Sequence, residues 1–126
     1  MKGDEESADR DVILLEGIEI PAALGVSAAE RKMRRPVLID LEVERDLRAA
    51  GRSDRIRDTV NYERIFQVIE EVASQREHRL VEALAERVAE RLLSEFPIDA
   101  VTVSARKPKP IAGVLDHAGV CIRRTR

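Results

Sequence analysis

Lys107 is a charged residue at a position where the surrounding pattern predicts an apolar side chain, and Glu82 is a charged residue on the rim of an apolar helical stripe. Lys107 follows Val101, Val103 and Ala105 at alternating positions, so the pleat of a β-strand would place its aliphatic stem on their face. Lysine, unlike arginine, can deprotonate when its surroundings lower its pKa, which makes Lys107 a candidate for acid–base chemistry. Glu82 lies in the first turn of a predicted helix, where the helix dipole favours a carboxylate. The alternatives are a lysine that extends to water and a glutamate that only stabilises a helix end.

Tyr62 and Glu30 are two further polar residues that stand out from their local pattern. Tyr62 is the only tyrosine and lies at the start of another predicted helix. Its alternative interpretation is a core ring with its hydroxyl in water. Glu30 lies in a loop just before the basic run at residues 31–35 (RKMRR), and its alternative is a surface ion pair.

Several common sites are missing from the sequence. It contains neither a Gly-x-Gly-x-x-Gly motif nor a phosphate-binding Gly-x-x-x-x-Gly-Lys motif. His78 and His117 stand apart from each other, so no metal site is predicted. Cys121 lies within a predicted strand, where a packed side chain is a better interpretation than a nucleophile. As the only cysteine it forms no intrachain disulfide, which indicates a cytoplasmic protein.

The candidate residues are positioned by a predicted order of two strands, two helices and two strands. Alternating or β-branched patterns predict strands at residues 12–20, 36–47, 100–107 and 118–124. Apolar residues at the helical period predict helices at 61–75, with Asn61 as N-cap, and at 80–96. The connections are a loop at 21–35 with a capping box at Ser27 and Glu30, a polar segment at 49–59, and a loop at 108–113 that contains Pro108 and Pro110.

This order predicts an α+β fold in which two helices cover one face of a four-stranded antiparallel sheet. Asp40, Glu42 and Glu44 alternate on the other face of the second strand, which is therefore predicted to be acidic and wet. The sheet would have bare edges, which oligomerisation or closure into a barrel can remove. Residues 1–10 are predicted to be a disordered lead-in, and residues 11–126 a single domain.

Composition excludes several classes of function. Only 2% of the 126 residues are aromatic, which argues against the stacking platforms of single-strand nucleic-acid binders. A net charge of −2 argues against non-specific binding to nucleic acid or to an anionic membrane. No apolar run has the length of about 18 residues that a membrane span needs, and the polar, acidic start does not resemble a signal peptide.

Taken together, the motifs resemble the dihydroneopterin aldolases of folate biosynthesis. The segments that carry the resemblance are residues 24–30 (LGVSAAE), 53–54 (SD), 58–62 (DTVNY), 80–86 (LVEALAE), 101–103 (VTV) and 107–108 (KP). The resemblance covers nearly the whole chain from Asp11 to Arg123. It implies that Lys107 and Tyr62 are catalytic, that Glu30 is the loop glutamate near the lysine, and that Glu82 anchors the pterin with backbone groups of Val81 and Val60.

Two departures from the family pattern lie near the predicted site. The family's lysine loop often reads Lys-Pro-x-Ala-Pro-Ile, but residues 107–111 (KPKPI) are one residue shorter. An alternative alignment would assign the catalytic role to Lys109, although only Lys107 keeps the inward parity of the strand. The glutamine that often ends the preceding loop is Arg35 here.

The resemblance implies a lyase that cleaves 7,8-dihydroneopterin by a retro-aldol reaction to 6-hydroxymethyl-7,8-dihydropterin and glycolaldehyde. The N5–C6 double bond of the substrate serves as the electron sink, so neither a metal, a cofactor nor a lysine Schiff base is expected. Lys107 would be the general base, through a water, and Tyr62 would relay the proton to the enamine carbon.

The resemblance also implies the tunnelling fold. Subunits would join into a ring with one continuous β-barrel, as a tetramer or as a stacked octamer, with active sites between subunits. Tyr62 would then come from one chain, and Glu82 and Lys107 from its neighbour.

Two other functions remain open at this point. An epimerase of dihydroneopterin or its triphosphate would share the fold, and Arg31, Lys32, Arg34 and Arg35 could supply cations for a triphosphate. A non-catalytic pterin-binding or scaffold protein of the same fold is the third reading, and retention of the four polar residues argues against it.

Overall fold

One antiparallel sheet organises the chain, and its four strands lie side by side in chain order. The structure is a computed structural model that describes residues 10–111 and 113–126. The strands are β1 (Val12–Ala22), β2 (Arg35–Glu44), β3 (Ala100–Ile111) and β4 (Leu115–Thr125). The predicted α+β class and the four-stranded antiparallel sheet are therefore confirmed.

Two long helices connect the middle strands of the sheet, and two short ones precede them. The short helices are α1 (Ala28–Arg31) and α2 (Arg48–Ser53), and a 3₁₀ turn follows at Ile56–Asp58. The long helices are α3 (Tyr62–Gln75) and α4 (Val81–Glu95), as the apolar periodicity predicts. The Asn61 side chain caps α3 by accepting a hydrogen bond from the N–H of Glu63 at 3.0 Å. Helix α2 was not predicted, because its six residues bury no side chain and so show no apolar stripe.

The core lies between α3, α4 and one face of the sheet. Both long helices turn an apolar stripe inward, and β2 and β3 contribute alternate residues to the same layer. The core is aliphatic apart from Phe96, in keeping with the composition. Its buried members are Ile65, Val68, Ile69, Val72, Leu84, Ala85, Val88, Ala89 and Leu92 of the helices, and Val37, Ile39, Leu41, Val43, Val101, Val103 and Ala105 of the strands.

A bulge in β1 changes which residues face the core. Between Leu15 and Ile18, two residues of β1 oppose the single residue Asp40 of β2. Gly17, with φ of +72°, donates its N–H to the Asp40 carboxylate at 2.7 Å. Odd-numbered residues of β1 pack on the core before the bulge and even-numbered residues after it. The bulge thus lets β1 keep one apolar face along its whole length.

A second bulge extends β3 beyond its predicted end. The prediction ended this strand at Lys107 because two prolines follow, but pairing with β4 continues to Ile111. Lys109 and Pro110 together oppose Asp116, and Lys109 has φ of +47°. A bulge tolerates proline because it leaves a residue outside the ladder of hydrogen bonds. The predicted loop is therefore part of a bent strand.

The face of the sheet away from the helices is less wet than predicted. Glu44 is only 6% exposed. The Arg123 guanidinium donates two hydrogen bonds to the Glu44 carboxylate, at 2.8 and 2.9 Å, and the Arg10 guanidinium donates a third at 2.9 Å. The hydrogen bonds from Arg123 are the main reason that the pKa of Glu44 lies below its usual value.

Of the predicted disordered lead-in at residues 1–10, residues 1–9 lie outside the described residues.

Cys121 lies on this second face, opposite Ser104. The prediction of a packed side chain is wrong for the single chain, in which Cys121 is exposed. The apolar side chains of residues 120 and 122 point to the opposite face, because side chains alternate along a strand.

None of the helices in the described ranges has the length and apolarity of a membrane span.

Candidate active site

A cavity of about 580 Å³ opens beside α1, where β1, β2 and β3 come together. Its volume falls in the range of small-molecule sites. Apolar side chains form one part of the wall, and four charged residues form the other. The lining consists of Ala22, Leu24, Ala29, Met33, Pro36, Val37, Pro108 and Pro110 with Glu30, Arg35, Lys107 and Lys109.

Lys107 and Glu30 form an ion pair in this cavity. The Lys107 Nζ donates to Glu30 Oε2 at 3.2 Å across a sequence separation of 77 residues. Their side chains are 30% and 47% exposed, so both are within reach of a ligand. The sequence-based expectation that Glu30 lies near the lysine is met by this contact. Lys109 lines the same cavity but forms no such pair with any residue that the structure describes, so Lys107 is the lysine held by a carboxylate there.

The Glu30 carboxylate is held from its other side by the capping box of α1. Its Oε1 accepts hydrogen bonds from the N–H of Ser27 at 3.2 Å and from the Ser27 hydroxyl at 3.0 Å. The hydroxyl in turn accepts from the N–H of Glu30, as the capping box predicts. These bonds from Ser27, followed by the bond from Lys107, lower the pKa of Glu30 to about 2. The carboxylate therefore remains an anion beside Lys107.

Gly25 provides the space in which the Glu30 side chain lies. A β-carbon at this position would stand 2.3 Å from Glu30 Cβ and 2.9 Å from Glu30 Oε2. Any larger residue would push the carboxylate away from Ser27 and Lys107. The glycine of the LGVSAAE segment is thus explained by the site and not by a turn.

Replacing Ser27 with alanine should raise the pKa of Glu30 part of the way towards its usual value. The variant loses the hydroxyl bond but keeps the backbone N–H and Lys107, so the shift should be partial. In the unaltered protein, ionised Glu30 stabilises the fold above about pH 4.5, and this contribution is lost as the pH falls through about 2. Carbon-13 NMR titration of the Glu30 carboxyl measures both values. Ser74→Ala is the control, because the Ser74 hydroxyl donates to the Glu71 carbonyl and does not contribute to the pKa of Glu30. A Glu30 pKa near 4.5 in the unaltered protein would contradict the geometry.

Glu82 and Val81 lie at the first turn of α4, outside the lining of the cavity. The chain just before α4 is nevertheless joined to the cavity wall. His78 donates its N–H to the Ala23 carbonyl at 2.9 Å and accepts from the N–H of Gly25 at 3.0 Å. The Glu82 side chain is exposed, and in residues 10–111 and 113–126 it has no hydrogen-bond or ion-pair partner.

Tyr62 and Val60 lie at the start of α3 and do not line the cavity either. Val60 is buried, whereas Tyr62 is 64% exposed. The core-ring interpretation of Tyr62 is therefore wrong for the single chain. The structure brings Glu30 and Lys107 together and leaves Tyr62, Glu82 and their neighbouring valines at helix starts.

Some residues that line the cavity were not predicted as site residues. Met33 carries no sequence signal, since it lies in a basic run. Arg35 and Lys109 had signals, because each marks a departure from the family pattern. The alternation of side chains along β3 predicted that Lys107 alone would face the site. Lys109 lies in the bulge of β3, however, and lines the same cavity.

Comparisons with known proteins identify relatives of this chain by sequence and by fold. The family model for dihydroneopterin aldolase matches residues 13–123. The dihydroneopterin aldolase of Methylorubrum extorquens is 39% identical over 92% of this chain and 91% of its own length. That of Streptococcus pyogenes is 36% identical over 92% of this chain and 99% of its own. The Escherichia coli dihydroneopterin aldolase, solved in complex with neopterin, superposes with a TM-score of 0.86 at 30% identity and covers 90% of this chain.

The match extends over both halves of the site, from the α1 capping box to the β3 lysine, and over nearly the full length of each relative. The chain belongs to the dihydroneopterin aldolase family.

Proposed function

We propose that this protein cleaves 7,8-dihydroneopterin by a retro-aldol reaction to 6-hydroxymethyl-7,8-dihydropterin and glycolaldehyde, as a step of folate biosynthesis in the cytoplasm. The observation that carries the proposal is the Lys107–Glu30 pair inside a ligand-sized cavity, in a chain of this family. The single cysteine, which forms no intrachain disulfide, supports the reducing compartment.

Lys107 is the general base of the proposed reaction. Through a water, it removes the proton of the 2′-hydroxyl. The C1′–C2′ bond then breaks, glycolaldehyde leaves, and the electron pair moves towards the N5–C6 double bond to give an enamine. Glu30, ionised and held by Ser27, keeps the Lys107 side chain at the cavity wall.

Tyr62 completes the cycle by relaying a proton to C1′ of the enamine. Its exposed ring in the single chain supports a role at the surface, where it can reach the site of another subunit. The uncovered outer edges of β1 and β4 in the described sheet support assembly into a tetrameric ring or an octamer.

Glu82 is the proposed pterin anchor. A pterin presents N3–H and its 2-amino group side by side, and one carboxylate can accept both bonds. The exposure of Glu82, its place at the start of α4, and the backbone bonds of His78 to the cavity wall support this role. Backbone groups of Val81 and Val60 would contact the remaining edge of the ring.

A chromatographic product assay with 7,8-dihydroneopterin tests the proposal. We expect stoichiometric release of glycolaldehyde and 6-hydroxymethyl-7,8-dihydropterin, and loss of both in Lys107→Gln. Inversion at C2′ without release would identify an epimerase. Binding without either product would identify a non-catalytic pterin-binding protein.

A further inference from the structure

Two cations line the active-site cavity without a carboxylate partner. Glu30 compensates Lys107, but the one side-chain hydrogen bond of the Arg35 guanidinium within residues 10–111 and 113–126 is to the Met33 sulfur, at 4.0 Å. Lys109 forms no hydrogen bond or ion pair within residues 10–111 and 113–126. The charged lining therefore comprises three cations and one anion, and the cavity carries a net positive charge.

The other basic residues near α1 are engaged or lie elsewhere. Arg31 pairs with Glu77 at 3.0 Å and donates to backbone carbonyls of the loop before α1. Arg34 donates to the Pro21 carbonyl at 3.0 Å. Neither they nor Lys32 line the cavity. Of the basic run at residues 31–35, only Arg35 is directed to the site.

Lys109 is held at the cavity by its backbone. It lies in the β3 bulge at φ of +47°, between Pro108 and Pro110, each of which fixes its own φ. A segment whose backbone is already constrained loses little conformational entropy when its side chain binds a ligand. The shortened loop thus holds a second lysine two residues from Lys107.

We infer that Arg35 and Lys109 form a phosphate subsite, and that the preferred substrate is a dihydroneopterin phosphorylated on its terminal 3′-hydroxyl. An arginine fork and an ammonium group are the side chains that best match phosphate oxygens. The inference rests on the proposed function, since it uses the same cleavage. The C1′–C2′ bond breaks as before, the phosphate stays on C3′, and the products are glycolaldehyde phosphate and 6-hydroxymethyl-7,8-dihydropterin.

The test compares kcat/KM for 7,8-dihydroneopterin, its 3′-monophosphate and its 3′-triphosphate. In the full chain, a phosphate ester should be the better substrate, and added KCl should reduce its advantage. Arg35→Gln and Lys109→Gln should each lower the ratio of phosphorylated to unphosphorylated kcat/KM by about 10-fold or more, the usual effect of a charge-assisted hydrogen bond. Comparison of the two esters shows whether one phosphate suffices.

Lys32→Gln is the matched control, because it removes a nearby exposed cation that does not line the cavity, and it should leave the ratio unchanged. A ratio at or below one in the unaltered protein, or a ratio that neither variant changes, would overturn the phosphate subsite. Absence of turnover with all three compounds would instead overturn the proposed function. Calorimetry with the same compounds then measures the subsite without catalysis, and equal affinities would overturn it too.

Discussion

Replacing Glu82 with alanine should weaken the binding of a pterin by about 10²- to 10⁴-fold. Two charge-assisted hydrogen bonds are lost, each worth roughly 1.5–3 kcal/mol, and every 1.4 kcal/mol is about tenfold in affinity. The fold should be unaffected, because the side chain is exposed and has no partner in the described part of the chain. Calorimetric titration with neopterin measures the loss, and the thermal midpoint checks the fold.

Glu90→Ala provides the matched control for this experiment. Glu90 is exposed on the same helix, about two turns after Glu82. The Glu90→Ala variant should therefore bind neopterin as tightly as the unaltered protein does. Glu82→Gln offers one acceptor oxygen and presents an NH₂ group to two donors, so it should also bind weakly. Unaltered affinity in Glu82→Ala would show that another group holds the pterin.

Replacing Tyr62 with phenylalanine should lower the formation of 6-hydroxymethyl-7,8-dihydropterin by about 10²- to 10⁴-fold, the usual contribution of a positioned proton transfer. The change keeps the ring and removes only the hydroxyl. Pterin affinity, which depends mainly on Glu82, should fall far less. Single-turnover product analysis beside a binding titration separates the two effects.

The same variant should show a second signature. Without the relayed proton the electron-rich enamine persists, so products of its reaction with oxygen should accumulate under air and not under nitrogen. Glu63→Gln, an exposed substitution in the same turn of α3, should show neither effect. If Tyr62→Phe forms 6-hydroxymethyl-7,8-dihydropterin at the normal rate, Tyr62 does not relay the proton, and Lys107 and its water handle both proton transfers.

Local patterns in the sequence were sufficient to predict the two long helices and the cap of α3. Helices α3 and α4 follow from apolar residues at the 3.6-residue period, and Asn61 caps α3 because its short side chain reaches the N–H of Glu63. The capping box of Ser27 and Glu30 is equally local, since its partners are three residues apart. Each feature is decided within one or two turns of chain, so the residues alone determine it.

Contacts between distant segments decided the rest. The Gly17 bulge reverses the parity of β1, and the Lys109 bulge carries β3 through two prolines, because both strands must pair with partners that no local pattern specifies. Burial of Glu44 likewise depends on Arg123, 79 residues away. The sequence by itself determined the two long helices, the order of the four strands and, through its motifs, which family the chain resembles. The resemblance already implied that Glu30 lies near the lysine, but only the tertiary structure brought Arg35 and Lys109 to the cavity of that pair, because side chains so far apart along the chain meet only when the sheet assembles.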